Sequence, residues 1–357
     1  MKIYFRKFLE RKLGKWAKQA WLVTRPEVIA ITGSTAKTST KEAICAVMRA
    51  QFGGEVFCSP GNMNSEFGMP LAILGFNRSV KFFEFPIILL KGWLRIRSKR
   101  KFPHWWVLEM GSDKPGDIKY LTSLVQPNSG VITTVGPVHL QALGSIEGVY
   151  EEKVDLVRAV KNDGAVFLNR MNNLVTKMAD QAKGRVIYYS GNPDEIAQSA
   201  AEAVGRYYKI DEQKIEQTLA NFKSLDGRMS VVEGINGSVI IDDSYNSNPL
   251  SMEVALYCLD KLAKARGAKR KIVIVGDMLE LGNYTKEAHR VMKEAIERVA
   301  DYTVGIGPLV KDLQLNEWYE DSDAKISVLN QIGEGDIILV KASRGIHLDN
   351  IVKRLKK

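Results

Sequence analysis

The sequence predicts an α/β protein. A doubly wound, mostly parallel sheet of the phosphate-loop type is followed by a second, smaller α/β domain with Rossmann-like alternation. Three observations carry this. Short β-branched, apolar runs alternate with helical periodicity through the first two thirds of the chain. The alternation restarts after Asp226-Gly227-Arg228. The first strand leads through Gly33 into Lys37-Thr38 and a helical pattern. That layout lets backbone N–H groups and a helix N-terminus face a phosphate.

Taken in order, residues 1–22 place Phe5, Phe8, Leu9, Leu13, Trp16 and Ala20 at helical spacing, with Lys and Arg between them. The basic face with Trp16 and Trp21 suits a helix on a membrane surface or one packed on the domain. Val28 to Ile31 is a buried strand. The loop Gly33, Ser34, Thr35, Ala36, Lys37, Thr38, Ser39 follows, and Ile44, Val47 and Met48 share one face of the next helix. In a phosphate loop, Lys37 neutralises charge and the Thr38 hydroxyl reaches Mg²⁺; an ordinary strand-to-helix turn is the alternative. The spacing is shorter than the Walker form, and Ala36 stands where a second Gly is expected.

Residues 59–70 form a loop rich in Gly, Pro and Asn. Asn62 and Asn64 there line a site or a plain surface turn. Residues 78–104 run from Phe82-Phe83 through Leu89-Leu90 and Trp93 into a basic block, a helical excursion too short to span a bilayer. Trp105 to Gly111 is a second strand. It puts Glu109 at the strand's C-terminal end, where open parallel sheets carry functional groups; a solvated or capping Glu is the other reading. A third strand, 130–135, is followed by His139, suited to a metal, a phosphate or a structural hydrogen bond. Lys153, among Glu151, Glu152 and Asp155, reads as a helix-surface lysine in an ion-pair pattern. Strands at 165–168 and 186–189 and a helical stretch at 194–222 complete the first domain. Strands at 238–243, 271–276, 302–306 and 336–341 build the second. The expected organisation is a basic arm, 1–24, a phosphate-loop domain, 25–226, and a C-terminal domain, 227–357.

The chain is 45% apolar and 26% charged, as soluble globular proteins are. No run has the length of a membrane-spanning helix, and no cleavable signal peptide is evident. Cys45, Cys58 and Cys258 lack metal-type spacing, and buried thiols in a reducing cytosol are expected. The formal charge of +10 gathers near the N-terminus and at 91–101. Without a zinc-finger or RNA-binding signature, nucleic acid is not an expected partner.

The order of motifs resembles the Mur ligase family, in the branch that adds a D-alanyl-D-alanine dipeptide. The matching pieces are Thr32-Gly-Ser-Thr-Ala-Lys-Thr-Ser-Thr-Lys-Glu42, Gly61-Asn-Met-Asn64, Leu108-Glu-Met-Gly111, His139 with Gly144-Ser145, and Glu152-Lys153. They continue with Gly227-Arg228, Asp242-Asp-Ser-Tyr-Asn-Ser-Asn-Pro249, Gly276-Asp-Met-Leu-Glu-Leu-Gly282 with His289, and Lys341-Ala-Ser-Arg344. The resemblance implies an ATP-dependent amide ligase. ATP phosphorylates a carboxylate on a peptidoglycan-precursor peptide, an amine such as that of D-Ala-D-Ala attacks the acyl phosphate, and phosphate leaves. It implies that Lys37 holds the β- and γ-phosphates and that Thr38 and Glu109 hold one Mg²⁺. His139 and a carbamylated Lys153 would hold a second. Arg228, Asp243 and Asn246 would face the nucleotide. Asn62, Asn64, Lys341, Ser343 and Arg344 would face the substrates.

The sequence departs from the family pattern in places. Some two dozen residues precede the first strand where the family carries a UDP-sugar-binding domain, and the stretch 189–200 is abbreviated. Pro193, Asp194 and Ala197 replace a signature that serves adenine. The expectation is a shortened, cytoplasmic ligase. Segments 1–22 and 78–104 would hold it on the inner face of the membrane, or a partner subunit would supply UDP-sugar binding. The alternatives are a ligase for another carboxylate and amine, such as a glutamate-chain ligase, and a nucleotide-binding, non-catalytic subunit. Retention of Lys37, Thr38, Glu109, His139 and Lys153 argues against the last, because unused clustered charges are costly to keep.

Overall fold

The computed structural model describes residues 2–61, 63–78, 84–97 and 102–357, with side chains from residue 7 onward, Phe85 excepted. Asn62 and parts of the 78–104 excursion therefore lie outside the described residues. The chain divides into two compact units, residues 1–135 with 147–222, and residues 136–146 with 223–357.

The elements run α1 (Lys2–Thr24), β1 (Glu27–Thr32), α2 (Lys37–Phe52), β2 (Val56–Cys58), α3 (Gly68–Ile73), α4 (Phe85–Arg97) and β3 (Trp105–Glu109). Then come α5 (Asp117–Leu124), β4 (Ser129–Ile132), α6 (Leu140–Leu143), α7 (Ile146–Ala159), β5 (Ala165–Asn169), α8 (Asn173–Thr176), β6 (Arg185–Tyr189), α9 (Ile196–Tyr207) and α10 (Glu212–Ala220). The chain continues with β7 (Ser230–Glu233), β8 (Val239–Asp243), α11 (Pro249–Arg266), β9 (Arg270–Gly276), α12 (Thr285–Glu297), β10 (Tyr302–Ile306), β11 (Glu317–Tyr319), β12 (Asp336–Lys341) and α13 (Asp349–Leu355).

In the first unit six parallel strands lie in the order β2-β3-β1-β4-β5-β6. The interiors of the central strands are apolar, with polar residues kept to their ends, because helices cover both faces. On one face α2 buries Ala43, Ile44, Val47 and Met48 against Ala200, Ala201 and Val204 of α9. The two helices approach closely at Gly205, where a Cβ would lie 2.9 Å from Val47. The N-terminal helix packs rather than hangs free. Leu9 and Leu13 of α1 join Met63, Leu71, Leu74 and Ile88 in a satellite core, and Trp16 lies against Gly92 of α4.

The second unit holds a sheet in the order β11-β10-β9-β12-β8-β7, parallel except for the edge strand β7, which runs antiparallel to β8. Ile241, Val273, Val275 and Leu339 face one core; Ile240, Ile272, Ile274, Ile338 and Val340 face the other. Helix α11 starts at a capping box between Asn248 and Ser251 with Pro249 in its first turn, a strong start signal.

The cysteine expectation is corrected. Cys45 on α2 and Cys58 at the end of β2 form a disulfide, with Cα atoms 6.2 Å apart, and Cys258 is the remaining thiol. The pairing arises because α2 folds back across β2. Edge strands β2, β7 and β11 also had no counterpart in the sequence reading; at three or four residues they are too short to show a period.

Candidate active site

The phosphate-type loop of the first unit is built from steric exclusion and hydrogen bonds. Gly33 has φ +154°, and a Cβ there would sit 1.9 Å from Thr133 Oγ1, so no other residue fits. The Ser34 and Thr35 N–H groups donate to Thr134 O at 2.8 Å and to Thr134 Oγ1 at 3.0 Å. Thr133 Oγ1 donates to Thr35 O at 2.6 Å. The loop is thus tied to the residues just beyond β4. Ala36 then takes a left-handed conformation, φ 60°, as N-cap of α2, and no side chain caps the helix. First-turn N–H groups with no capping side chain make an anion site. Lys37 folds back so that Nζ donates to Gly33 O at 2.7 Å. Thr38 is buried in the first turn, and Ser39 is half-buried behind it.

Parallel register puts Glu109 opposite Ile31, at the same sheet end as the loop. Glu109 is 1% exposed. Its Oε1 accepts from Asn64 Nδ2 at 2.7 Å, and its N–H donates to Ser59 Oγ at 3.2 Å. Its Oε2 is buried without a hydrogen-bond partner among the described residues. A buried carboxylate oxygen left in this way suits a cation. Mg²⁺ takes one or two carboxylates beside substrate phosphates and water, so Thr38 and Glu109 fit it. No group of three or more His, Cys, Asp or Glu among the described residues forms a preassembled metal cage.

Lys153 is not on the surface, contrary to the ion-pair reading. It is 2% exposed on α7, and its Nζ reaches Ser112 Oγ at 3.4 Å. Burial, and secondly repulsion from Lys37, bring its pKa down to about 7. Its neighbour Glu152 turns away to accept from the Gly116 and Ile118 N–H groups at 2.6 and 2.7 Å, capping α5. The signal was in the pattern: Val149, Lys153, Leu156 and Val157 fall on one helical stripe, which places the lysine on an inward face.

His139 belongs to the segment that folds with the second unit, where its Nδ1 lies 2.9 Å from Glu280 Oε2. Also in the second unit, Lys341 is buried in an ion pair with Asp243 and donates to Asn246 O at 2.9 Å. Ser343 Oγ accepts from the Leu279 N–H at 2.9 Å. The Arg228 and Arg344 guanidiniums lie 3.8 and 5.1 Å from the Tyr245 ring centre, a cationic, aromatic surface suited to an anionic ligand. Sequence reasoning missed Ser112, Thr133, Thr134 and Tyr245, whose roles depend on contacts between distant segments.

Against known proteins, the Mur ligase middle domain model matches residues 94–232, and the model of the Mur ligase glutamate ligase domain matches residues 227–344. The chain is 28% identical over 373 residues to the UDP-N-acetylmuramoyl-tripeptide–D-alanyl-D-alanine ligase of Bacillus subtilis, covering 92% of this chain and 75% of that one. Its fold is similar to that of MurF from Acinetobacter baumannii, with a TM-score of 0.79 at 20% identity, covering 96% of this chain and 79% of that one. It is also similar to MurF from Thermotoga maritima solved in complex with ADP, with a TM-score of 0.78 at 23% identity, covering 96% and 82%.

The buried amine predicts a pH dependence. Lys153 has a folded pKa of about 7 against an ordinary value of 10.5. Between these values the unfolded chain binds the extra proton, so stability rises with pH, by at most about 1.4 kcal/mol per unit. Denaturant unfolding at pH 7, 8 and 9, in buffer freed of carbon dioxide, should show this rise. The Lys153→Met variant should show a flatter one. Equal slopes in the two proteins would contradict the burial argument.

Proposed function

The chain belongs to the Mur ligase family, and from that premise we propose that it is an ATP-dependent ligase joining D-Ala-D-Ala to the tripeptide of a peptidoglycan precursor. The observation that carries the reading is the uncapped α2 loop with Lys37, at the same sheet end as a buried Glu109 oxygen without a hydrogen-bond partner among the described residues. The substrate carboxylate attacks the γ-phosphorus, the bond to the β-phosphate oxygen breaks, and ADP leaves. The incoming amine then attacks the acyl carbon, phosphate departs, and the amine proton is lost. Phosphoryl transfer of this kind depends on positioning and charge neutralisation. The α2 N–H groups and Lys37 are assigned to the phosphates, and Thr38 and Glu109 to a Mg²⁺ that would neutralise charge on them. Arg228, Asp243 and Asn246 stay assigned to the nucleotide, and Ser343 and Arg344 to the amine substrate. His139 is kept as a proposed Mg²⁺ ligand. A near-neutral Lys153 amine is the form that adds to carbon dioxide. Loss of one proton on addition leaves an anionic carbamate, a ligand type that an ammonium cannot supply.

Phosphate release should require both the UDP-linked tripeptide and D-Ala-D-Ala, and Lys37→Ala should lower kcat by about 100-fold or more. Lys153→Ala should be inactive and partly rescued by a short carboxylic acid. Release that depends on glutamate instead would favour a glutamate-chain ligase. Binding of ATP without release under any pairing would favour the non-catalytic reading.

The proposal extends to location. No helix among the described residues is long and apolar enough to cross a membrane. Helix α4 nevertheless exposes Ile87, Leu90, Trp93 and Leu94 beside Lys91 and Arg97, and α1 exposes Lys7, Arg11, Lys12, Lys15 and Lys18. An apolar face beside cations fits the headgroup region of an anionic leaflet, where each basic residue contributes about 1 kcal/mol. We assign these helices to peripheral contact with the cytoplasmic face of the membrane. The protein should co-sediment with phosphatidylglycerol vesicles at low salt and release at high salt, and Leu90→Glu with Leu94→Glu should abolish this. Absence of binding at low salt would leave the surface to a partner subunit.

A further inference from the structure

Glu109 is held by a device that the proposed reading leaves without a function. The 59–64 loop reaches it from two directions. Ser59 Oγ accepts from the Glu109 N–H, and Asn64 Nδ2 donates to Oε1 at 2.7 Å. Because an ionised carboxylate only accepts, the amide must present its nitrogen there. Asn64 is itself gripped. Its carbonyl accepts from the Gly111 N–H at 2.9 Å. Its side chain fills the space that a Cβ on Gly111 would take, since such a carbon would lie 2.9 Å from Asn64 Cγ. The Leu108-Glu-Met-Gly111 and Gly61-Asn-Met-Asn64 motifs therefore interlock.

The loop is in turn fastened to α2. Lys41 is fully buried, and its Nζ donates to Ser59 O at 2.6 Å and to Gly61 O at 3.0 Å, beside the Glu42 carboxylate at 2.9 Å. Buried lysines are retained where their donors are all engaged. One helical turn separates Lys41 from Lys37. The helix that presents the phosphate site therefore also fixes the loop that orients the carboxylate.

We propose that Asn64 is a positioning residue. It occupies Oε1 of Glu109 and turns Oε2 toward the Mg²⁺ site, and Lys41 holds the loop that carries it. This rests on Glu109 as a Mg²⁺ ligand and replaces the substrate-facing role expected of Asn64 from the sequence.

The test is Mn²⁺ binding in the presence of ADP, followed by electron paramagnetic resonance on the full-length protein, with metal-free ADP affinity measured alongside. Asn64→Ala should weaken Mn²⁺ by about 10- to 100-fold, the usual effect of losing a partner behind a metal ligand, and leave metal-free ADP affinity unchanged. Asn64→Ser, which keeps a donor in a smaller side chain, should lose less, and it serves if the alanine variant fails to fold. In a Glu109→Gln background Asn64→Ala should add nothing further, since the carboxylate it orients is gone. Mn²⁺ affinity within twofold of wild type, or additive losses in the double variant, would overturn the proposal. So would a rise in KM for the peptide alone, which would return Asn64 to substrate contact. If Glu109→Gln by itself left Mn²⁺ affinity intact, the ligand assignment beneath the proposal would fail first, and the two failures are distinguishable.

Discussion

Charged groups removed from water and incompletely satisfied within the fold are the constraint on which the first unit turns. Burying a charge costs several kcal/mol, yet Glu109 keeps one buried oxygen without a hydrogen-bond partner among the described residues, and buried Lys153 reaches a hydroxyl at 3.4 Å. The sheet sets Glu109 at the end that carries the phosphate-type loop. Its parallel register sets the end of β3 beside the end of β1, and Gly33 lets the loop turn tightly against Thr133 before α2 begins. Ala36 adds a left-handed backbone, an expense of about 1–2 kcal/mol for a residue with a Cβ. Strain and unmet charge in one place mark a site that is completed by something other than the chain itself.

The second unit gives the contrast. Its strand-end charges are largely satisfied within the fold. Asp277 accepts from the Leu309 and Val310 N–H groups, Asp242 from Gly227 and Ser244, and Lys341 pairs with Asp243. Asp277 and Asp242 thereby hold loops in shape. Arg228 and Arg344 differ, because their guanidiniums lie near the Tyr245 ring and remain able to meet an anion.

Legibility in the sequence followed the same division. Long apolar runs such as Lys271 to Gly276 announced buried parallel strands, because a strand covered on both faces has no polar side to show. The loop and Glu109 could be placed from strand ends alone. Whatever depended on tertiary approach was hidden. Three-residue edge strands carry no period, Cys45 meets Cys58 only once α2 crosses β2, and Asn64 finds Glu109 only because Gly111 lacks a Cβ. Lys153 is the instructive case. Acidic neighbours suggested a solvated face, while its position on the Val149 to Val157 stripe pointed inward. Position on the stripe outweighed the company of charges, because helix packing fixes which face is buried before side chains choose partners.

The pair formed by Lys37 and Lys153 carries the last step. As ammonium groups they repel, and that repulsion reinforces burial in lowering the Lys153 pKa to about 7. A plain structural role gives no reason to keep two mutually hostile cations within interaction range, and an apolar residue would fill the same space without the penalty. A negative group at the Lys153 terminus reverses the sign, so that Lys37 becomes an attractive neighbour. Burial and Lys37 both disfavour the ammonium and so favour the neutral amine; under the proposed carbamate only the Lys37 interaction would change sign. The same reversal would leave Lys37 less repelled and better placed to meet the phosphates that the uncapped N-terminus of α2 is built to receive.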